Sequence, residues 1–139
     1  MPSIHFLYAD PDSPPVNVTA QVLSPTSIVV TWNEVPPINQ NGEIIGYDLI
    51  YEPLETFSGA IELTRVNNLP ASSPGLTLHG LEEYVSYNIS VSASTQVGPG
   101  PFSVPLTAVT DEAGKSYMQV TFAIILVITW YNRFVHIKE

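Results

Sequence analysis

Proline and glycine cut this chain into short runs in which apolar and polar side chains alternate. That pattern excludes a helical bundle, because a proline inside an α-helix removes a hydrogen bond and clashes with the preceding turn. Alternation of period two instead places one face of an extended strand in a core and the other in water. Thirteen Pro and eight Gly supply the punctuation. Val16, Val18, Ala20 and Val22 alternate behind Pro14 and Pro15, and Ile28, Val30 and Trp32 form a second inward face after Pro25. Residues 33–43, with Pro36, Pro37 and Asn41-Gly42, read as a loop. Tyr47, Leu49 and Tyr51 alternate next, and Pro53 ends that strand because it cannot donate to a ladder.

Ile61, Leu63 and Val66 suggest a weaker strand with a bulge or a register change. Residues 70–75 form a turn cluster, and Leu76 and Leu78 follow on one face. Tyr87, Ile89, Val91 and Ala93 alternate with Asn88, Ser90, Ser92 and Ser94, and Leu106 and Val109 are expected to reach the core from a last strand that Pro105 places at an edge or a bulge. Seven strands in about 100 residues point to an all-β, seven-stranded Greek-key sandwich.

Composition narrows what such a domain could do. Apolar residues make up 45% of the 139 and charged residues 12%, the opposite of a solvated disordered polymer. Thirteen Asp and Glu against four Lys and Arg give a formal charge of −9, too few cations to track a phosphate backbone. No nucleic-acid partner is expected. The chain has no Cys, hence no disulfide, thiolate zinc site or Cys nucleophile.

The charges also divide the chain. Between Ser13 and Glu112 the only base is Arg65, whereas Lys115, Arg133 and Lys138 lie beyond it. The reading is therefore a disordered leader (1–12), an acidic sandwich (13–112) and an apolar tail (113–139).

The body resembles a fibronectin type III domain over nearly all of residues 13–112. The resemblance is carried by Pro14-Pro15, by Trp32 on the second strand, by the run IIGYDLIY ending at Tyr51, by LEEYVSYNISVSAST starting at Leu81, and by VGPGPFS starting at Val97. The loop wording is most similar to repeats of receptor-type tyrosine phosphatases and sidekick-like cell-surface receptors. Leu81 and Tyr87 stand six residues apart, as in the tyrosine corner of such domains. The family's usual proline within that corner is absent, since Glu82, Glu83 and Tyr84 occupy the segment. The resemblance implies a structural core of Trp32, Tyr47, Leu49, Leu81, Tyr87, Ile89 and Val91.

Catalytic chemistry finds little support. His5, His79 and His136 fall in three different parts of the chain, and a nucleophile needs a base within hydrogen-bond reach and a third group to orient it. The carboxylates are hard oxygen ligands, but no calcium loop of the DxDxDG kind is present. No enzyme activity, cofactor or metal is expected. Asn17-Val18-Thr19 and Asn88-Ile89-Ser90 are N-glycosylation sequons, and the alternation directs Asn17 and Asn88 outward. The loop 36–43 and the turn 97–102 lie at one end of such a sandwich, so Asn39, Asn41, Glu43 and Phe102 are candidate partner-binding residues.

Residues 116–132 carry no charge. As a helix they span about 25 Å against roughly 30 Å of hydrocarbon, a shortfall that snorkelling of Lys115 and Arg133 could cover, giving a candidate transmembrane helix over about 116–135. The leader lacks a basic start and a long apolar stretch, unlike a signal peptide. Three readings stand: a reverse signal anchor, a tail anchor, or a fragment of a larger multi-repeat ectodomain, the last preferred. The functional expectation is a non-enzymatic protein-binding module of a cell-surface adhesion or receptor protein, with the domain outside the cell and neighbouring repeats among its partners. The alternative is a structural spacer with no ligand, from a receptor phosphatase-like ectodomain.

Overall fold

The alternating runs become strands, and their cross-strand register decides which side chains meet. A computed structural model of the protein describes residues 8–57 and 59–111. Within them lie β1 (Val16–Ser24), β2 (Ser27–Asn33), β3 (Gly46–Pro53), β4 (Thr64–Pro70), β5 (Gly75–His79), β6 (Ser86–Ser94) and β7 (Leu106–Val109). A three-stranded sheet ordered β1-β2-β5 packs on a four-stranded sheet ordered β4-β3-β6-β7, and every pairing is antiparallel. The chain crosses from β4 to the other sheet for β5 and returns to set β6 beside β3, a Greek-key path. The described residues contain no α-helix; Pro37–Asn39 forms a 3₁₀ turn. No helix among them is long and apolar enough to cross a membrane. The candidate membrane helix at 116–135 lies outside the described residues, as do His5 and His136.

The core forms where the two inner faces meet. Ile28 opposes Leu78 and Val30 opposes Leu76, while Tyr47 opposes Ala93 and Leu49 opposes Val91. Trp32, Tyr47, Leu49, Leu81, Tyr87, Ile89 and Val91 are all buried, together with Ile28, Val30, Val35 and Val85. The Trp32 and Tyr47 rings are tilted against each other with centroids 5.4 Å apart, a separation at which aromatic pairs attract. The Trp32 indole N–H is buried without a hydrogen-bond partner, so area and ring contact hold this side chain.

Register overturns three expectations. Val109 pairs with Ser86 and is half exposed; its neighbour Ala108 pairs with Tyr87 and enters the core, since adjacent strand residues point to opposite faces. Ile61 and Leu63 are exposed on the connection before β4, and the inner face of that strand comes from Val66 and Leu69, opposite Leu49 and Tyr47. The two-residue gap between those pairs on β3 is met by three on β4, a bulge in which Asn68 turns left-handed and donates its N–H to Asp48 Oδ1 at 3.0 Å. Val16 is exposed rather than inward because β1 is irregular between Val16 and Thr19, with Asn17 at a φ of 51°.

The corner between β5 and β6 is tied from two sides. The Glu82 N–H donates to the Tyr87 hydroxyl at 2.8 Å, which closes the segment expected to form a tyrosine corner. Thr110, buried just after β7, accepts from the Val85 N–H at 2.9 Å and donates to the Glu82 carbonyl at 2.8 Å. Nothing in the sequence pattern singled out Thr110. Replacing it with Val keeps the shape but strands a buried donor and acceptor, and should cost about 2–3 kcal/mol. Tyr87→Phe strands the Glu82 N–H and should cost about 1–2 kcal/mol, both read by urea unfolding.

Burial raises the Tyr47 phenol above its ordinary value of 10.0, and the Glu34 carboxylate raises it further. Burial also raises Tyr87. A phenol kept protonated by folding stabilises the fold fully below the unfolded value, and that contribution is lost as pH climbs through the raised folded value. Unfolding free energy should therefore fall above about pH 10, with a shallower fall in Tyr47→Phe. Denaturant titrations at pH 8 to 11 check this.

Candidate functional site

Three segments converge at the end of the sandwich where β2 leads into β3 and β6 leads toward β7. The loop 34–45 is rigid by composition: two prolines open it, and Gln40 folds its Nε2 back onto the Val35 carbonyl at 2.8 Å. The chain before β1 lies against this loop. The Ala9 N–H donates to the Asn41 carbonyl and the Asp12 N–H to the Asn39 carbonyl, each at 3.1 Å. Side chains repeat the connection: Asn39 Nδ2 donates to Asp12 Oδ1 at 2.7 Å, and Asn41 Nδ2 to the Asp10 carbonyl at 3.1 Å. Asn41 takes a φ of 56°, a conformation Asn tolerates better than most residues.

The third segment closes the cluster. Thr95 Oγ1 donates to the Ala9 carbonyl at 2.8 Å and accepts from the Val97 N–H at 3.3 Å. Gly100 lies beneath Pro11, where an added Cβ would stand 2.6 Å from the Pro11 carbonyl oxygen. The leader is thus pinned from Ala9 to Asp12, with Pro11 fully buried, which corrects the expectation of disorder over the part of 1–12 that is described. Tyr8, Glu43, Thr95, Gln96 and Val97 line a cavity of about 410 Å³ between leader and turn. Tyr8 and Val97 in this lining are strongly exposed, as is Ile38 on the loop 34–45.

The sequence-derived binding residues separate here. Asn39 and Asn41 belong to the cluster, but their side-chain nitrogens are spent on holding the leader. Glu43 lines the cavity with an exposed carboxylate. Phe102 is elsewhere. Its ring lies 5.3 Å from the Arg65 guanidinium carbon, a cation–π contact on the outer face of the four-stranded sheet. The register explains this: Ile50 pairs with both Arg65 and Ser90, and Ser103 pairs with Val91, so the stretch around Phe102 runs along β6. Val97, from the turn expected at this end, completes the cluster with Tyr8 and Thr95; the sequence does not point to these last two, because only the fold reveals that the leader returns to this end.

Both sequon asparagines lie on outer surfaces, with different freedom. Asn17 is exposed in its bulge. Asn88 is half-buried on a central strand, and its Oδ1 accepts from the Thr107 hydroxyl at 2.8 Å. His79 stands exposed at the end of β5. Among the described residues, no three His, Asp or Glu side chains are grouped to hold a metal ion.

With this geometry in view, comparison with known proteins assigns the class. The model of the fibronectin type III domain matches residues 13–109, and the chain belongs to that family. Chicken sidekick-1 is 40% identical over 96 residues, covering 69% of this chain and 4% of that protein. The human cell adhesion molecule DSCAM is 36% identical over 102 residues, covering 73% of this chain and 5% of that protein. The chain therefore spans about one twentieth of the relatives it matches. Among solved structures, the third fibronectin III domain of the human KIAA0343 protein superimposes with a TM-score of 0.69 at 27% identity, covering 81% of this chain and 93% of that one.

Gly100→Ala tests how the cluster is held. A methyl group in contact with the Pro11 carbonyl should displace the leader while leaving the sheets intact. The expected result is faster hydrogen exchange at the Ala9 and Asp12 amides, with Leu49 and Val91 unchanged.

Proposed function

We propose that this domain is a non-enzymatic protein-binding module of a cell-surface adhesion receptor, working outside the cell through the end built from residues 8–12, 36–43 and 95–98. The observation that carries the reading is the pinned leader. By hydrogen-bonding to one loop and to Thr95, it turns three connections into one surface whose ordering is complete before a partner arrives. Preorganisation of this kind lowers the entropic cost of binding. Exposed Tyr8, Ile38 and Val97 supply apolar anchors beside the Glu43 carboxylate, a mixture suited to a protein partner. The similarity to DSCAM, a cell adhesion molecule, supports this class of function.

The test is binding of the full chain, exported behind an added signal sequence, to a panel of purified adhesion-receptor ectodomains. Ile38→Ser and Val97→Ser should each weaken binding about tenfold, roughly the loss of an apolar interface anchor. Val104→Ser, as exposed as Ile38 but outside the cluster, should leave it unchanged. Full binding by the first two variants would contradict the proposal, and binding to none of the ectodomains would favour a spacer.

The extracellular part of the proposal has its own check. In the exported chain, endoglycosidase should remove a glycan that is lost in Asn17→Gln. Asn88→Gln should change the mobility less, because Asn88 is half-buried and engaged by Thr107. A chain with no sensitive glycan would contradict use of either sequon.

A further inference from the structure

The opposite end of the sandwich carries a second surface with a different chemistry. It is formed by residues 54–57 and 59–63 of the connection after β3, the corner 80–85 and the end of the described chain at Asp111. The connection is fastened to the corner: the Phe57 N–H donates to Glu82 Oε2 at 3.3 Å, and the Leu54 N–H to the Ser86 carbonyl at 2.8 Å. Exit and corner meet as well, through the Tyr84 N–H and the Asp111 carbonyl at 3.3 Å. Between them lies a cavity of about 320 Å³ lined by Glu55, Thr56, Phe57, Tyr84 and Val85.

Two features single this surface out. The Phe57 side chain is 82% exposed and Tyr84 62%, although aromatic rings gain the most from burial. Tyr84 also holds a φ of 57°, a left-handed conformation that Gly or Asn would adopt at less cost. The charge is one-sided: Glu52, Glu55, Glu62, Glu82, Glu83 and Asp111 belong to these segments and to the strand end beside them, with no Lys or Arg in residues 51–63 or 80–111. Arg65, the one base between Ser13 and Glu112, lies over Phe102 on the sheet face.

We propose that this end docks a protein segment presenting an arginine beside an apolar side chain, the guanidinium lying against the Phe57 and Tyr84 rings and donating hydrogen bonds to the carboxylates of these segments. Charge complementarity selects a cationic partner, because any cation must come from outside these segments. The ring faces select arginine over lysine, since the planar guanidinium stacks on aromatic faces and pairs with carboxylates in fixed geometry. A second copy is disfavoured, because the same end of two chains would set like charges against each other. The surface is separate from the loop end, so either can fail without the other.

The probe is a synthetic Gly-Leu-Arg-Phe-Arg-Leu-Gly peptide, with Lys-for-Arg and Glu-for-Arg versions, titrated into the ¹⁵N-labelled full chain. The arginine peptide should shift the amides of residues 54–57 and 82–85, weaken with added salt, and bind about tenfold more tightly than the lysine version. The glutamate version should not bind. Phe57→Ser and Glu55→Gln, both at exposed positions, should each weaken the arginine peptide at least about fivefold, and Val97→Ser should not. Four results would overturn the proposal: no binding by the wild-type chain, equal binding of lysine and arginine peptides, shifts confined to the loop end, or self-association of the wild-type chain that Phe57→Ser abolishes.

Discussion

Two sheets held apart by a single layer of side chains depend on what fills that layer, and at its centre Trp32 packs on Tyr47. There is no disulfide to fasten one sheet to the other, since the chain has no cysteine. The attachment therefore rests on apolar burial, which scales with area and is greatest for the largest side chains. Trp32 ends the inward row of β2, and Tyr47 begins that of β3, so their contact joins the sheets next to the loop between those strands. The loop can be irregular and proline-rich because the strands that carry it are already fixed.

The other end is fixed by hydrogen bonds. Fibronectin type III domains were expected to have a proline in the segment after Leu81, and this chain has Glu82, Glu83 and Tyr84 instead. The Tyr87 hydroxyl and Thr110 hold the corner in its place, one from each side of the Glu82 peptide. Thr110 comes from the last described turn of chain, so closing the corner also fastens the exit of β7 to β6. A domain built this way is rigid at both ends, and each end presents a surface of distinct chemistry.

Much of the fold was legible because period-two alternation is strong in β2, β3 and β6, the strands with the most buried faces. It failed where packing is one-sided. β7 is a four-residue edge strand, and both Ala108 and Val109 are apolar; hydrophobicity favours Val109, but the register set by Tyr87 buries Ala108. Ile61 and Leu63 look like a strand, yet the connection has ten residues to cross before β4, and pairing starts at Thr64. The site was legible only in outline. Asn39 and Asn41 could be placed on a loop, but the leader that occupies them is distant in sequence, and no local pattern announces a contact between Thr95 and Ala9. Phe102 was misplaced for the same reason: its partner Arg65 is reached across β3 and β6.

Acidity runs through both surfaces without defining either. At the loop end the Asp12 carboxylate accepts from Asn39, whereas at the corner end Glu55 lines the cavity beside the exposed aromatic rings and the Glu82 carboxylate accepts from the Phe57 N–H. What makes the two ends usable is the shared core between them. Its most direct test is native-state hydrogen exchange of the chain compared with Trp32→Ala. Removing a buried tryptophan should cost about 3–5 kcal/mol and lower protection in β2, β3 and β6 together, by the same amount. A loss under about 1 kcal/mol, or one sheet keeping its protection while the other loses it, would contradict a single core on which both ends depend.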